Sequence, residues 1–166
     1  MKWVTRERVH VDRVACPWLI KRFVDPKAEF IFVPVERIDE VVKEGAIPFD
    51  APGVELGHKG DKCSFDAIIE KYGIKDPAVL ALAKIVRAAD TENKELAPES
   101  VGLDAVATGS MMIVKNDEEA IERGRYVYDS LYAYCKLKLL REKYKKKLEK
   151  MNRKQRYEFL REKIKE

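Results

Sequence analysis

The sequence predicts a helix-rich α+β fold, in which a small two- to three-stranded sheet packs among helices and a long C-terminal helical extension follows. Three observations carry this. Strand-like runs occur only before residue 50. After residue 63 the apolar residues recur at helical spacing, behind residues that cap helices. Residues 141–166 hold twelve Lys/Arg against five Glu, a net of +7, and the remaining 21 basic and 24 acidic residues leave positions 1–140 at −3.

Taken in order, Trp3-Val4-Thr5 is aromatic and β-branched, a short strand that Val9 to Asp12 continues. Cys16-Pro17-Trp18 opens a helix to about Val24, with Pro17 in the first turn, where a missing N–H costs nothing. Asp25-Pro26 stops it. Glu29-Phe30-Ile31-Phe32-Val33 is the clearest strand, and Val35 to Glu44 is a helix capped by Gly45. Positions 46–62 form a loop punctuated by Pro48, Pro52, Gly53, Gly57 and Gly60, with one short strand at Ile47-Pro48-Phe49. Ser64 caps a helix that ends at Gly73. Asp76-Pro77 caps the next, which runs to Asp90. The small residues of Val101 to Val114 predict a fully buried helix. A long helix begins at Asp117, and its apolar positions narrow to Leu137, Leu140, Tyr144, Leu148 and Met151, a coiled-coil seam of two heptads. Asn152 and Gln155 have the spacing of a capping box before a last helix.

With 166 residues the chain suits one globular domain, residues 1–135, followed by a basic helical extension over 136–166. Lys and Glu dominate, while Gln155 is the single Gln and Asn93, Asn116 and Asn152 are the only Asn, a bias of thermophilic proteins. No apolar run reaches the ~18 residues of a membrane span, and the N-terminus has no signal-peptide stretch. No membrane association and a cytoplasmic location are therefore expected. Three widely spaced cysteines, Cys16, Cys63 and Cys135, do not make a disulfide framework and are expected as thiols.

Four constellations bear chemistry. The loop Glu55 to Asp66 gathers Glu55, His58 and Cys63. These residue types bind zinc, iron or manganese, and Asp90 is the choice for a fourth ligand. As a plain glycine-rich turn, the same loop would need no ligand. Around Asp12 to Arg22, a loop entering a helix offers free N–H groups. There Arg13 and Arg22 are forked donors for an oxyanion, and Cys16 is the candidate reactive thiol, its pKa lowered by the helix terminus. The bland reading is a small buried cysteine and Arg13 in an ion pair with Asp12 or another carboxylate. Arg87-Ala88-Ala89-Asp90 ends a helix on a carboxylate that opposes the dipole, so Asp90 needs a cation, whether a metal, Arg13 or Arg22. Finally, the basic tail is either a solvated face, a nucleic-acid contact or a homodimer seam.

Asp12-Arg13-Val14-Ala15-Cys16-Pro17-Trp18-Leu19-Ile20-Lys21-Arg22-Phe23, Gly53-Val54-Glu55-Leu56-Gly57-His58, Cys63-Ser64-Phe65-Asp66 and Ile85-Val86-Arg87-Ala88-Ala89-Asp90 are long and rare strings. With Trp3 to Arg6, Gly45 to Asp50 and Val127 to Tyr132, they resemble the C-terminal domain of the chromate-resistance ChrB family over about residues 3–135. The resemblance implies a cytosolic protein linked to chromate, a tetrahedral oxyanion. It brings no established catalytic residues. The leading expectation is a metal-binding domain that senses or handles a small oxyanion: Glu55, His58, Cys63 and Asp90 hold a divalent transition metal, and Arg13, Arg22 and Arg87 supply positive potential. The alternatives are a metal-dependent redox or hydrolytic enzyme at the same site, and a nucleic-acid-binding accessory working through the tail. Whether the chain is an enzyme stays open at this point.

Overall fold

A computed structural model describes residues 1–165. Three strands, β1 (Lys2–Arg6), β2 (Glu29–Val33) and β3 (Ile47–Pro48), form one sheet in the order β2-β1-β3, and both pairings are parallel. The connections are helical, as parallel strands require. Helix α1 (Val11–Phe23) links β1 to β2, and α2 (Ile38–Lys43) returns the chain to the far side of β1. A central parallel strand is covered on both faces. Trp3 accordingly points into the main core with Phe49 and α1, while Val4 points into a smaller cluster with Ile38 and Val41 of α2.

The helices follow: α3 (Ser64–Tyr72), α4 (Pro77–Asp90), α5 (Ser100–Met111), α6 (Asp117–Lys143), α7 (Lys145–Glu149) and α8 (Arg153–Lys165). Their starts have local causes. Asp76 accepts hydrogen bonds from the N–H groups of Ala78 and Val79, with Pro77 at the first helical position. Asn116 accepts from the N–H of Glu119. Gly73 ends α3 with φ 61°, the left-handed conformation that glycine takes without strain. Asn152 and Gln155 exchange reciprocal side-chain to backbone bonds of 2.9 and 3.0 Å, which starts α8.

Helix α6 holds the body together. Its Tyr128 hydroxyl donates to the carbonyl of Val11, Tyr132 donates to Asp76, and Asp129 accepts from the indole N–H of Trp18. It also crosses α1 closely. A Cβ on Gly124 would lie 2.4 Å from Cγ1 of Val14, so only glycine fits there. Helix α6 runs unbroken through position 135 and breaks at Tyr144. Beyond the break α8 folds back along it, so that Lys136 donates to the carbonyl of Ile164 and Tyr144 meets Phe159 edge-on.

Four expectations need correction. Helix α1 begins at Val11, not at Cys16, so positions 9–12 are not strand and Pro17 lies inside the helix. Cys63, not Ser64, precedes the first residue of α3. Helix α5 is apolar without being buried: only Ser100 and Leu103 are covered, whereas Val101, Val106, Met112 and Ile113 are exposed. The seam from Leu137 to Met151 is not one straight helix, because the break at Tyr144 turns it into an intramolecular fold-back. Among the described residues no helix is long and apolar enough to cross a membrane.

Candidate metal centre

In open parallel sheets, ligands sit beyond the carboxyl ends of the strands. Here that edge carries the polar cluster. Asp50 follows β3 directly, and its backbone carbonyl accepts from Thr5 Oγ1 and from Arg6 Nε, at the end of β1. Asp50 takes a φ of 43°, a left-handed conformation uncommon outside glycine that aspartate tolerates better than most residues. Asp12 is the second residue of α1, the helix that leaves β1. It is buried, and it lies at the start of α3, accepting from the N–H of Ser64 (2.7 Å) and of Phe65 (3.1 Å). Two of α3's unpaired N–H groups are satisfied in this way.

Asp90 ends α4 and accepts from the backbone N–H of Asp12 at 3.3 Å. The glycine-bent loop then lays His58 across all three carboxylates. Its Nε2 is 3.1 Å from Asp90 Oδ2, 3.4 Å from Asp50 Oδ1 and 3.6 Å from Asp12 Oδ2. Ligand-type atoms of Asp12, Asp50 and His58 lie within 4.8 Å of one another, close enough to share one ion. Asp12 and Asp50 are almost wholly buried, while His58 is 45 % exposed, so the cluster is closed beneath and open at the imidazole.

The electrostatics are those of crowded anions. Burial, with the charges of Asp90 and Asp50 added, holds the Asp12 carboxyl well above its usual range. Burial and Asp50 raise Asp90. Two guanidiniums answer: Arg13 Nη1 lies 2.9 Å and Arg6 Nη2 3.6 Å from Asp50 Oδ2. The Ser64 hydroxyl fixes the other Asp50 oxygen at 3.1 Å.

Of the four ligands expected from the sequence, His58 and Asp90 come together and the other two point elsewhere. Glu55 forms a surface ion pair with Lys71 at 2.7 Å. Cys63 is buried, and its thiol faces Asp66. Burial pushes that thiol up, away from the thiolate a metal needs. Asp66 accepts from the Cys63 N–H and takes a two-pronged contact from Arg87, at 2.7 and 2.9 Å.

The three arginines expected to face an oxyanion therefore hold carboxylates of this chain: Arg13 holds Asp50, Arg87 holds Asp66, and Arg22 pairs with Asp129 while stacking on Tyr132. Cys16 sits well inside α1 instead of at its start, fully buried, with its thiol donating to Asp12. Burial, with Asp12 and Asp50 adding, drives its pKa up, opposite to the expectation of a reactive thiol. His10 precedes α1, half-buried, with Nε2 3.3 Å from the Thr108 hydroxyl.

The two residues that the sequence reading passed over are Asp12 and Asp50. The usable signal was topological: each follows the carboxyl end of a strand, which is where an α/β sheet places its ligands.

The family model of the ChrB C-terminal domain matches residues 3–135. The curated relative "Protein ChrB" from Cupriavidus metallidurans (strain CH34) is 34% identical over 134 residues, covering 80% of this chain. That alignment spans only 40% of the relative's own length. No solved structure gives a significant match. Asp12, Asp50, His58 and Asp90 all lie within the matched region.

Proposed function

The chain belongs to the family of ChrB C-terminal domains, and we propose that it binds one divalent transition metal at His58, Asp50, Asp90 and Asp12, and through that metal senses or handles a small oxyanion. The observation that carries this is the convergence of three carboxylates on a single imidazole nitrogen at 3.1 to 3.6 Å. Two ionised carboxylates within 4.8 Å of each other repel by roughly 3 kcal/mol or more at an effective dielectric near 20. Arg13 offsets one of them, and a dication offsets the rest. Imidazole with carboxylate oxygens suits zinc, iron or manganese.

The surrounding shell supports the same reading. Metal ligands are held by further hydrogen bonds. Asp50 has Arg13 and Ser64, Asp12 has the start of α3, and Asp90 has the N–H of Asp12. Each carboxylate oxygen has two lone pairs, so Asp12 keeps acceptor capacity for an ion after its backbone bonds are made. The ligand set is thus His58 with three aspartates, in place of Glu55 and Cys63.

The oxyanion belongs to the proposal through the likeness to chromate-resistance proteins. Since the nearby guanidiniums already hold carboxylates, the metal supplies the positive charge, and the open side at His58 admits the anion. Protein purified without a metal-affinity tag should carry close to one equivalent of metal, lost in His58→Ala, and calorimetry should find chromate binding that chelation abolishes. Less than roughly a tenth of an equivalent, or a content unaltered by His58→Ala, overturns the metal centre. Chromate affinity equal before and after chelation overturns the oxyanion role.

A further inference from the structure

The C-terminal helices lie outside the family match and leave a groove open. The end of α6, the short α7 and the returning α8 form three sides around about 770 Å³, floored by Leu137, Leu148, Leu160 and Ile164. Tyr157 stands at its edge, 62% exposed. Three helices around an apolar trough are a four-helix arrangement lacking one member.

Four of the five cations that line this groove are arginines. Residues 141–166 contain four arginines, Arg141, Arg153, Arg156 and Arg161, and all four line the groove. Lys165 lines it as well, whereas Lys143, Lys145, Lys146 and Lys147, close by in sequence, do not. Among the described residues none of the four guanidiniums has a carboxylate partner. Arg156 donates to the carbonyls of Leu148 and Met151, and Arg161 lies over Tyr157. Arginine is the cation that combines an apolar stem with two-pronged carboxylate binding, and it is more weakly hydrated than lysine.

We propose that this groove docks an acidic amphipathic helix of another protein, whose apolar stripe lies on Leu137, Leu148 and Leu160 and whose flanking carboxylates pair with Arg141, Arg153 and Arg161. Helix α8, at 13 residues, offers a trough of roughly 20 Å, enough for apolar anchors at i, i+3, i+4 and i+7. A second copy of this chain fits less well, because it would bring another tail of net +7 against the first. Nucleic acid would use the cations and leave the apolar floor bare.

The test uses the full chain and a synthetic peptide of roughly 18 residues, with Leu at helical spacing and Glu flanking it. A scrambled peptide of identical composition, duplex DNA and anionic phosphatidylserine vesicles run beside it, and sedimentation reports self-association. Fluorescence anisotropy should give binding of the patterned peptide at least about tenfold tighter than the scrambled one. The double variant Arg141→Glu, Arg161→Glu, with helix content unchanged by circular dichroism, should lose at least about tenfold and recover on a peptide carrying Lys for Glu. Equal binding of patterned and scrambled peptides overturns the proposal. So does an unaffected double variant, a dimer that excludes the peptide, or DNA or vesicles displacing the peptide with the same arginines required.

Discussion

At the carboxyl edge of the sheet, Asp12, Asp50 and Asp66 are 1%, 3% and 6% exposed, and each accepts hydrogen bonds from this chain. In the C-terminal helices the arrangement is reversed. Charges point outward, Arg141 and Arg153 have no carboxylate among the described residues, and Tyr157 is left uncovered. Both regions are rich in ionisable groups, so composition alone does not separate them. What separates them is the energy of burial. A charge inside the protein persists only with a compensating charge or donor, so each buried aspartate fixes the position of its neighbours. A charge on an exposed helix fixes nothing, and information there resides in the apolar floor and in the choice of arginine over lysine. The metal centre we propose belongs to the first kind of region and the proposed docking groove to the second.

The contrast breaks if buried and exposed charges turn out to cost the same to remove. The largest effect is expected at Arg87. Its guanidinium is the two-pronged partner of Asp66, whose carboxylate also fixes the N–H of Cys63 at the start of α3. Arg87→Ala leaves that carboxylate buried and unpaired, which costs about 3 kcal/mol or more. Urea denaturation should show the midpoint falling with an unchanged slope. A loss under about 1 kcal/mol, the range of surface pairs, would mean that water reaches Asp66 and that the edge of the sheet is less closed than its burial implies.

An intermediate effect, confined to the other region, sharpens the comparison. Asn152 caps α8 through its reciprocal bonds with Gln155. Asn152→Ala should cost about 1 kcal/mol, read by hydrogen exchange in α8, where amide protection falls. Protection in α1 and α4 should not change, because α8 packs mainly on α6. Loss of protection in both regions would show that the tail and the body unfold as one unit.

Local signals made several elements legible: Asp76-Pro77, Gly73 and the Asn152/Gln155 pair each act within a few residues. Pro17 misled because a proline near the start of an apolar run looks like a first-turn residue, although Val11 to Cys16 already make about one and a half turns of α1 before it. Helix α5 misled because apolar composition does not state which side of a helix meets a neighbour, and only Leu103 turns inward with Ser100. Of the site, His58 and Asp90 were legible because each sits where its chemistry needs explaining, an imidazole between glycines and a carboxylate against a helix dipole. Asp12 and Asp50 were not. They meet through strand order and crossover, and neither carries a short-range mark of its 38-residue separation from the other.

The smallest effect is the most discriminating. Glu55 lies three residues before His58 in the same loop, and by sequence spacing it ranks as a ligand equal to it. In the structure its carboxylate is exposed and paired with Lys71, and that salt bridge lowers its pKa. Neutralising it by Glu55→Gln should leave stability almost unchanged, because exposed pairs contribute little. Metal content, measured by elemental analysis beside His58→Ala, should stay at the wild-type level. The expectation follows from geometry alone: a carboxylate paired with Lys71 lies outside the group of ligand atoms close enough to share one ion with His58. Should Glu55→Gln lose metal as fully as His58→Ala, the ion would lie on the loop side of the imidazole, and Asp12, Asp50 and Asp90 would be a structural network anchoring α1, α3 and α4.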